Sequence, residues 1–167
     1  MRDTAPVMDL MIHVHRFLDE KQRTMSRDLA EKYGVPEEDV RDAVSGFLGD
    51  TYGPALELAA EISGIKKPVM LFVHKADCAV CKRSLPVLDE FVKKHHDIIL
   101  MKVDYSDPAG VIYHMLSHDD KGLLPLIAMI YNGSIGMVYN GECIHSEIYE
   151  KSYVSLRAGC GQNIYAR

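Results

Sequence analysis

The sequence contains no tryptophan and only four cysteines among its 167 residues. So few cysteines exclude a small scaffold held by several disulfides, and in a reducing compartment a close pair is more typical of catalysis or metal binding. Long apolar runs are missing as well, because the longest, at 68–73 and 122–131, are shorter than the roughly 18 to 20 apolar residues that a membrane-spanning helix requires. We therefore expect no membrane-spanning segment and no membrane partner.

An excess of basic residues is also missing. Lys and Arg number 19 against 24 Asp and Glu, a net charge of −5, which argues against a partner bound chiefly through its phosphates. The N-terminus has neither the uninterrupted apolar run nor the small-residue cleavage site of a secretory signal. We therefore expect a cytoplasmic protein that does not bind nucleic acid.

What is present fits an ordinary globular chain of one or two domains, with 47% hydrophobic and 26% charged residues. Apolar residues of helical period, caps and a glycine stop predict three short helices at about 7–23, 26–34 and 36–48. Glycines and a proline at 49–54 predict a linker. This interpretation divides the chain into an N-terminal helical domain, residues 1–50, and a second domain, residues 51–167.

Residues 26–48 have the rhythm of a helix-turn-helix, which on rhythm alone would suggest DNA binding. The would-be recognition helix opens with Glu37, Glu38 and Asp39, three carboxylates where a DNA reader would face phosphates. The acidic excess is concentrated in this part, since residues 1–50 carry 7 basic and 11 acidic side chains. We therefore interpret the unit as one for packing or partner docking.

The second domain has the pattern of an α/β fold. Short apolar runs at 69–73 and 98–103 predict strands buried on both faces, and Asn132-Gly133 between two apolar runs predicts a two-residue hairpin. Helices are predicted at about 55–62, after residue 78, at 107–116 and at 146–156. The predicted order is α, β, α, β, α, β, β, α.

Two cysteines, Cys78 and Cys81, directly follow the first of these strands and open the next helix. Their i, i+3 spacing brings both sulfurs to one face of the helix. The unpaired N–H groups and the positive end of the helix dipole favour a thiolate on Cys78, lowering its pKa from about 8.5 toward a range of roughly 3.5 to 7.5. Cys78 is thus the candidate nucleophile, and Cys81, one turn further in, the residue that later attacks it to release the product thiol.

Strand, Cys-x-x-Cys, helix and a later proline before a hairpin resemble the thioredoxin fold and its thiol-disulfide oxidoreductases, over about residues 54–158. The match extends to residues at family spacings: Lys82, Pro86, Asp104, Leu124, Pro125, Gly133 and Gly141. The resemblance implies a thioredoxin-like fold with a central mixed sheet flanked by helices. It also implies protein disulfides and a reductase as partners, and no cofactor besides the redox-active disulfide of Cys78 and Cys81.

In this family the proline before the hairpin has a cis peptide bond and packs against the cysteine pair. A cis bond before proline costs only about 0.5 to 1 kcal/mol, and it would turn the backbone of Leu124 toward the site. Leu124 would then pair with an extended substrate segment as an added strand. The alternative is that Pro125 merely begins an edge strand.

The sequence departs from the family beside the first cysteine, where Asp77 replaces the usual tryptophan. A carboxylate there opposes thiolate formation on Cys78, although Asp77 could also cap the helix. Lys75 and Lys82 supply compensating positive charge.

A second departure concerns the proton of Cys81. The buried acid that many thioredoxins hold six residues before the first cysteine is here Phe72. Attack by Cys81 is therefore expected to be slow or to use His74 as proton acceptor. The dipeptide Ala79-Val80 replaces Gly-Pro and adds one N–H donor, which predicts a less reducing couple than that of thioredoxin.

Metal binding is the chemical alternative for the cysteine pair. Structural zinc needs two further ligands, and nothing in the spacing of Cys143 or Cys160 directs them to the pair, so each is interpreted as a buried or idle thiol. His114 and His118 have the i, i+4 spacing of ligands but lack a third ligand or a catalytic Glu. We expect no metal.

These observations predict an enzyme, a dithiol-disulfide oxidoreductase acting on proteins. A binding or chaperone-like module with little turnover is the alternative, and a redox-responsive regulator using the N-terminal helices is a third. The substrate, the reductase and the oligomeric state are not assigned by the sequence.

Overall fold

A computed structural model describes residues 8–159 and the backbone of 164–166. The helices are α1 (Leu10–Tyr33), α2 (Glu37–Gly64), α3 (Ala79–Lys94), α4 (Ile112–Leu116) and α5 (Glu147–Arg157), with a 3-10 turn at Pro108–Val111 before α4. The strands are β1 (Met8–Asp9), β2 (Val69–His74), β3 (Ile99–Asp104), β4 (Leu126–Tyr131), β5 (Ser134–Asn140) and β6 (Ile164–Ala166).

The strands form one mixed sheet in the order β1-β5-β4-β2-β3, with β6 also paired to β5. β2 runs parallel to β3 and antiparallel to β4. β4 and β5 form an antiparallel hairpin, whose turn residues Asn132 and Gly133 both have positive φ, 50° and 74°. The predicted α/β class, the central mixed sheet and the hairpin are confirmed, and the chain has a thioredoxin-like fold.

The core lies on both faces of the sheet, and β2 shows why. Val69, Leu71 and Val73 pack with α1, α2 and α4, whereas Met70 and Phe72 pack with α3 and α5. None of these five side chains is more than 1% exposed. The prediction of a central strand buried on both faces is confirmed, whereas β3, predicted to be equally buried, is an edge strand and only partly covered.

The N-terminal part is helical as predicted, but the predicted division of residues 7–34 into two helices at Ser26 is wrong. α1 is one continuous helix of 24 residues, and Ser26, the predicted cap, lies inside it, buried and accepting a hydrogen bond from Gln22. The apolar stripe continues past Ser26 to Ala30, and its burial against α2 keeps the helix intact. Gly34 ends α1 in the left-handed conformation at φ 65°, as the sequence predicts.

The predicted linker at 49–54 is also wrong, because α2 passes through it without a break as a helix of 28 residues. Glycine costs a helix interior roughly 1 kcal/mol and proline more. Burial outweighs these costs: Tyr52, Ala55 and Leu58 continue one buried stripe, and the Tyr52 ring meets that of Phe17 in α1 at 5.3 Å. The division into domains 1–50 and 51–167 has no linker here and stays a prediction.

Three chain segments meet at one edge of the sheet. β2 and β3 end side by side, with His74 opposite Asp104. β4 starts at this edge, with Leu126 opposite Val73. The loops that follow β2 and precede β4 therefore lie close together. Within the described residues, no helix has the length and apolarity needed to cross a membrane.

Candidate active site

The loop after β2 delivers the cysteine pair to the start of α3. Cys78 and Cys81 form a disulfide with a Cα–Cα distance of 5.2 Å. Cys78 is the N-cap of α3, and its sulfur accepts a hydrogen bond from the Cys81 N–H at 3.1 Å. The suggested capping role of Asp77 is wrong, because Cys78 itself has the extended backbone of a cap, φ −83° and ψ 105°, and Asp77 is exposed one residue earlier.

The two sulfurs differ in access to solvent. Cys78 is partly buried, whereas Cys81 is only 3% exposed and belongs to the core cluster between the sheet, α3 and α5. The first-turn N–H groups of α3 have no partner within the helix, and that of Cys81 donates to the Cys78 sulfur. Cys78 is therefore accessible to another molecule, whereas Cys81 lies in the protein interior.

No carboxylate is buried near Cys81, since serines are the polar residues that the described part of the chain buries. Phe72 occupies the core beside Cys81 instead. The proposed substitute, His74, is partly buried at the end of β2, with its ring 5.3 Å from that of Phe72. A hydrogen bond from the Ser106 backbone, with smaller contributions from His74 and Lys75, lowers the pKa of the neighbouring Asp104 carboxyl.

The second loop at this edge carries Leu124 and Pro125, and the peptide bond between them is cis. Pro125 is buried, and its carbonyl accepts a hydrogen bond from the Gly141 N–H at 2.9 Å. Leu124 packs against the same core cluster as Cys81, and Cys78 does so too. The structure thus brings the cysteine pair and Leu124 to one cluster.

The remaining predicted residues lie around this centre. Lys82 is exposed, and its backbone N–H donates to the Cys78 carbonyl at 3.1 Å. Pro86 lies inside α3 and is exposed. Lys75 places its ammonium 5.0 Å from the centre of the Tyr105 ring, in a cation–π contact.

Sequence reasoning missed the contacts that fix the loop after β5. Arg83 in α3 pairs with Glu142, and this contact raises the pKa of the guanidinium and lowers that of the carboxyl. The buried hydroxyl of Ser84 accepts a hydrogen bond from the Cys143 N–H at 3.1 Å. These partners are 59 positions apart, and no local pattern links them.

The other candidate ligands do not converge. Cys143 is free and buried, as predicted, and Cys160 lies outside the described residues. His114 bonds the Tyr105 hydroxyl at 2.9 Å, whereas the His118 ring lies 5.9 Å from that of His13. Across the described ranges, no three His, Cys, Asp or Glu side chains are grouped as a metal would need.

Comparisons with known proteins gave matches among solved structures. Mitochondrial thioredoxin 3 of Saccharomyces cerevisiae is 18% identical, with a TM-score of 0.46 over 57% of this chain and 83% of its own. Desulfothioredoxin of Desulfovibrio vulgaris Hildenborough is 23% identical, with a TM-score of 0.48 over 58% and 88%. Plasmodium falciparum thioredoxin is 21% identical, with a TM-score of 0.47 over 59% and 90%.

No protein-family model matches the chain, and no curated protein matches it in sequence. Function does not carry over at such similarity.

Proposed function

We propose that the protein is a thiol-disulfide oxidoreductase that reduces or exchanges disulfides in other proteins, with Cys78 as nucleophile and Cys81 as resolving residue. The observation that carries the proposal is the unequal exposure of two sulfurs joined at the start of a helix. Cys78 is partly accessible and accepts a hydrogen bond from the Cys81 N–H, whereas Cys81 is 3% exposed. A nucleophile needs access, and a resolving thiol needs only to reach the nucleophile.

The exchange begins from the reduced pair. The Cys78 thiolate attacks one sulfur of a substrate disulfide, forms a mixed disulfide, and displaces the other substrate sulfur as a thiolate that takes up a proton. Cys81 then loses its proton and attacks the Cys78 sulfur, which releases the second substrate thiol. Two electrons pass from the dithiol to the substrate, and the Cys78–Cys81 disulfide is the product.

The supporting roles belong to the same proposal. His74, at the end of β2, takes the proton of Cys81, since none of the described residues is a buried acid that could do so. Lys82 offsets the negative charge of Asp77 near the nucleophile. Pro125 and Leu124 form the wall against which an extended substrate segment docks. A separate reductase restores the dithiol, and the cytoplasm is the proposed compartment.

Insulin reduction by dithiothreitol tests the proposal, because it follows catalysis of protein disulfide reduction directly. The wild-type chain should accelerate the reaction, and Cys78→Ser should abolish the acceleration. Cys81→Ser is the matched variant: it keeps the nucleophile and, once reduced and freed of dithiothreitol, should accumulate a mixed disulfide with insulin, which Cys78→Ser cannot form. Equal rates for wild type and Cys78→Ser would contradict the proposal.

One observation favours a second function, that of a binding or chaperone-like module with little turnover. Phe72 fills the place of an acid that would take the Cys81 proton, and without such a group the second step is slow. In that case the chain should bind unfolded protein equally well with and without Cys78, and insulin reduction should stay at the uncatalysed rate.

A further inference from the structure

The residue before Leu124 is held at both of its backbone polar groups by side chains. The Leu123 carbonyl accepts hydrogen bonds from the Tyr113 hydroxyl at 3.0 Å and from the Asn140 side-chain amide at 3.3 Å. The Leu123 N–H donates to the Asp119 carboxylate at 3.3 Å. Its peptide groups are thus fixed from three separate segments of the chain.

The residue after Leu124 is held as well, since the Pro125 carbonyl accepts the Gly141 N–H. Leu124 itself is different: among the described residues, neither its N–H nor its carbonyl has a hydrogen-bond partner. A backbone with free polar groups between two fixed neighbours is the arrangement that an added strand requires. The fixed neighbours remove much of the ordering cost of docking.

Packing fixes the position of the Tyr113 hydroxyl. Its side chain is only 3% exposed, and its ring packs edge-on against that of Tyr105 at 5.4 Å. Burial is the main cause that raises the pKa of its phenol, so the hydroxyl keeps its proton and remains a donor at neutral pH. Asn140, at the end of β5, lies 3.5 Å from the same hydroxyl through its side-chain nitrogen.

We propose that Tyr113 and Asn140 are positioning residues, which hold the Leu123 carbonyl so that the free backbone of Leu124 is presented to an extended protein disulfide substrate. This inference rests on the proposed function. It adds that recognition of protein substrates, as distinct from thiol chemistry at Cys78, depends on a hydroxyl and an amide that do not touch the substrate.

The test compares two disulfides that differ in size. Insulin needs to dock as a chain segment, whereas dithiodipyridine needs only access to Cys78. For Tyr113→Phe and Asn140→Ala we expect the KM for insulin to rise roughly threefold to tenfold, the effect of losing one neutral hydrogen bond. The kcat for insulin, the rate with dithiodipyridine and the redox equilibrium with glutathione should be unchanged.

Tyr105→Phe is the matched control. It removes a hydroxyl from the adjacent ring, but that hydroxyl bonds His114 and not the loop, so the KM for insulin should stay at the wild-type value. Because Asn140 is only partly buried, its alanine variant remains informative even if Tyr113→Phe folds poorly.

The possible results distinguish failure of the positioning role from failure of the proposed function. An unchanged KM for insulin in both variants overturns the positioning role and leaves the proposed function standing. Equal slowing with insulin and dithiodipyridine also overturns it, because the residues would then support the site as a whole. A wild-type chain that reacts with dithiodipyridine but does not reduce insulin overturns the proposed function and this inference with it.

Discussion

The backbone N–H of Cys81 donates a hydrogen bond to the Cys78 sulfur at 3.1 Å, so the helix that carries both residues also supplies a donor to the outer one. After reduction the same donor faces a thiol or a thiolate, and it favours the charged form because hydrogen bonds to ionised groups are the stronger ones. The resolving residue thus contributes to the reactivity of the nucleophile through its main chain. Substitution of the Cys81 side chain leaves this donor in place.

Alkylation of the reduced protein with iodoacetamide should therefore modify Cys78 well before Cys81. Cys78 is partly exposed and faces the helix N-terminus, whereas Cys81 is buried in an apolar cluster, and reactivity follows access and thiolate content. Peptide mass mapping over time measures the two rates. Cys81→Ser should keep the fast rate at Cys78, and a faster modification of Cys81 would reverse the assigned roles.

Replacing Asp77 by Asn should speed the reaction of Cys78 at neutral pH. An exposed carboxylate one residue before the sulfur destabilises its thiolate, and in a water-like dielectric such a repulsion changes a rate by roughly twofold to fivefold. The measurement is the rate with dithiodipyridine at low and high salt, because screening should reduce the difference. Asp42→Asn, a change of another exposed carboxylate, in α2, is the control and should have no effect.

Patterns that act within a few residues predicted their parts of the fold correctly. The apolar run at 69–73 became the buried strand β2, Asn132-Gly133 became the hairpin turn, and the i, i+3 cysteines share one helix start. In each case residues close together in the sequence determine the local structure. The cause is burial on two faces for β2, positive φ for the hairpin turn, and the spacing of a helical turn for the cysteines.

Other parts of the fold and of the site depend on contacts between segments that are distant in the sequence. Gly49 and Pro54 are local breakers, yet burial of Tyr52 and Ala55 against the rest of the core keeps α2 continuous. The hydrogen bond from Tyr113 to Leu123 likewise depends on how a loop folds back on α4, and no spacing indicates it.

The continuous helix α2 predicts that Gly49→Ala stabilises the protein by roughly 0.5 to 1 kcal/mol, since alanine is the better helix former. An added Cβ at Gly49 meets nothing within 4 Å. Gly34→Ala is the matched control and should destabilise the protein, because Gly34 has φ +65° although space around it is equally free. Urea unfolding measures both, and a destabilising Gly49→Ala would favour the linker that the sequence predicts.

Asp97, in the loop between α3 and β3, contacts α5, and this contact should make the stability of the protein depend on pH. Its carboxylate accepts a hydrogen bond from the Tyr153 hydroxyl at 2.8 Å and pairs with Arg157, both in α5. Desolvation acts to raise the pKa of Asp97, but the Tyr153 hydrogen bond, the local backbone and the positive charge of Arg157 together lower it below its ordinary value. The unfolded chain therefore binds the proton more readily than the native protein does.

The stabilisation from this carboxylate should accordingly be complete above the ordinary Asp pKa of about 3.9. It should be lost as pH falls through the lower native value. Between pH 5 and 7, roughly one to three units above that ordinary value, Asp97→Asn should lower the urea midpoint by a nearly constant amount. Below about pH 4 the difference between the variant and the wild type should shrink. Asp89→Asn, which removes the α3 carboxylate that pairs with Lys102 of β3 at the longer distance of 3.9 Å, provides the comparison. A difference that grows as the pH falls would show that the carboxylate is not stabilised in the native state and that α5 is held by other contacts.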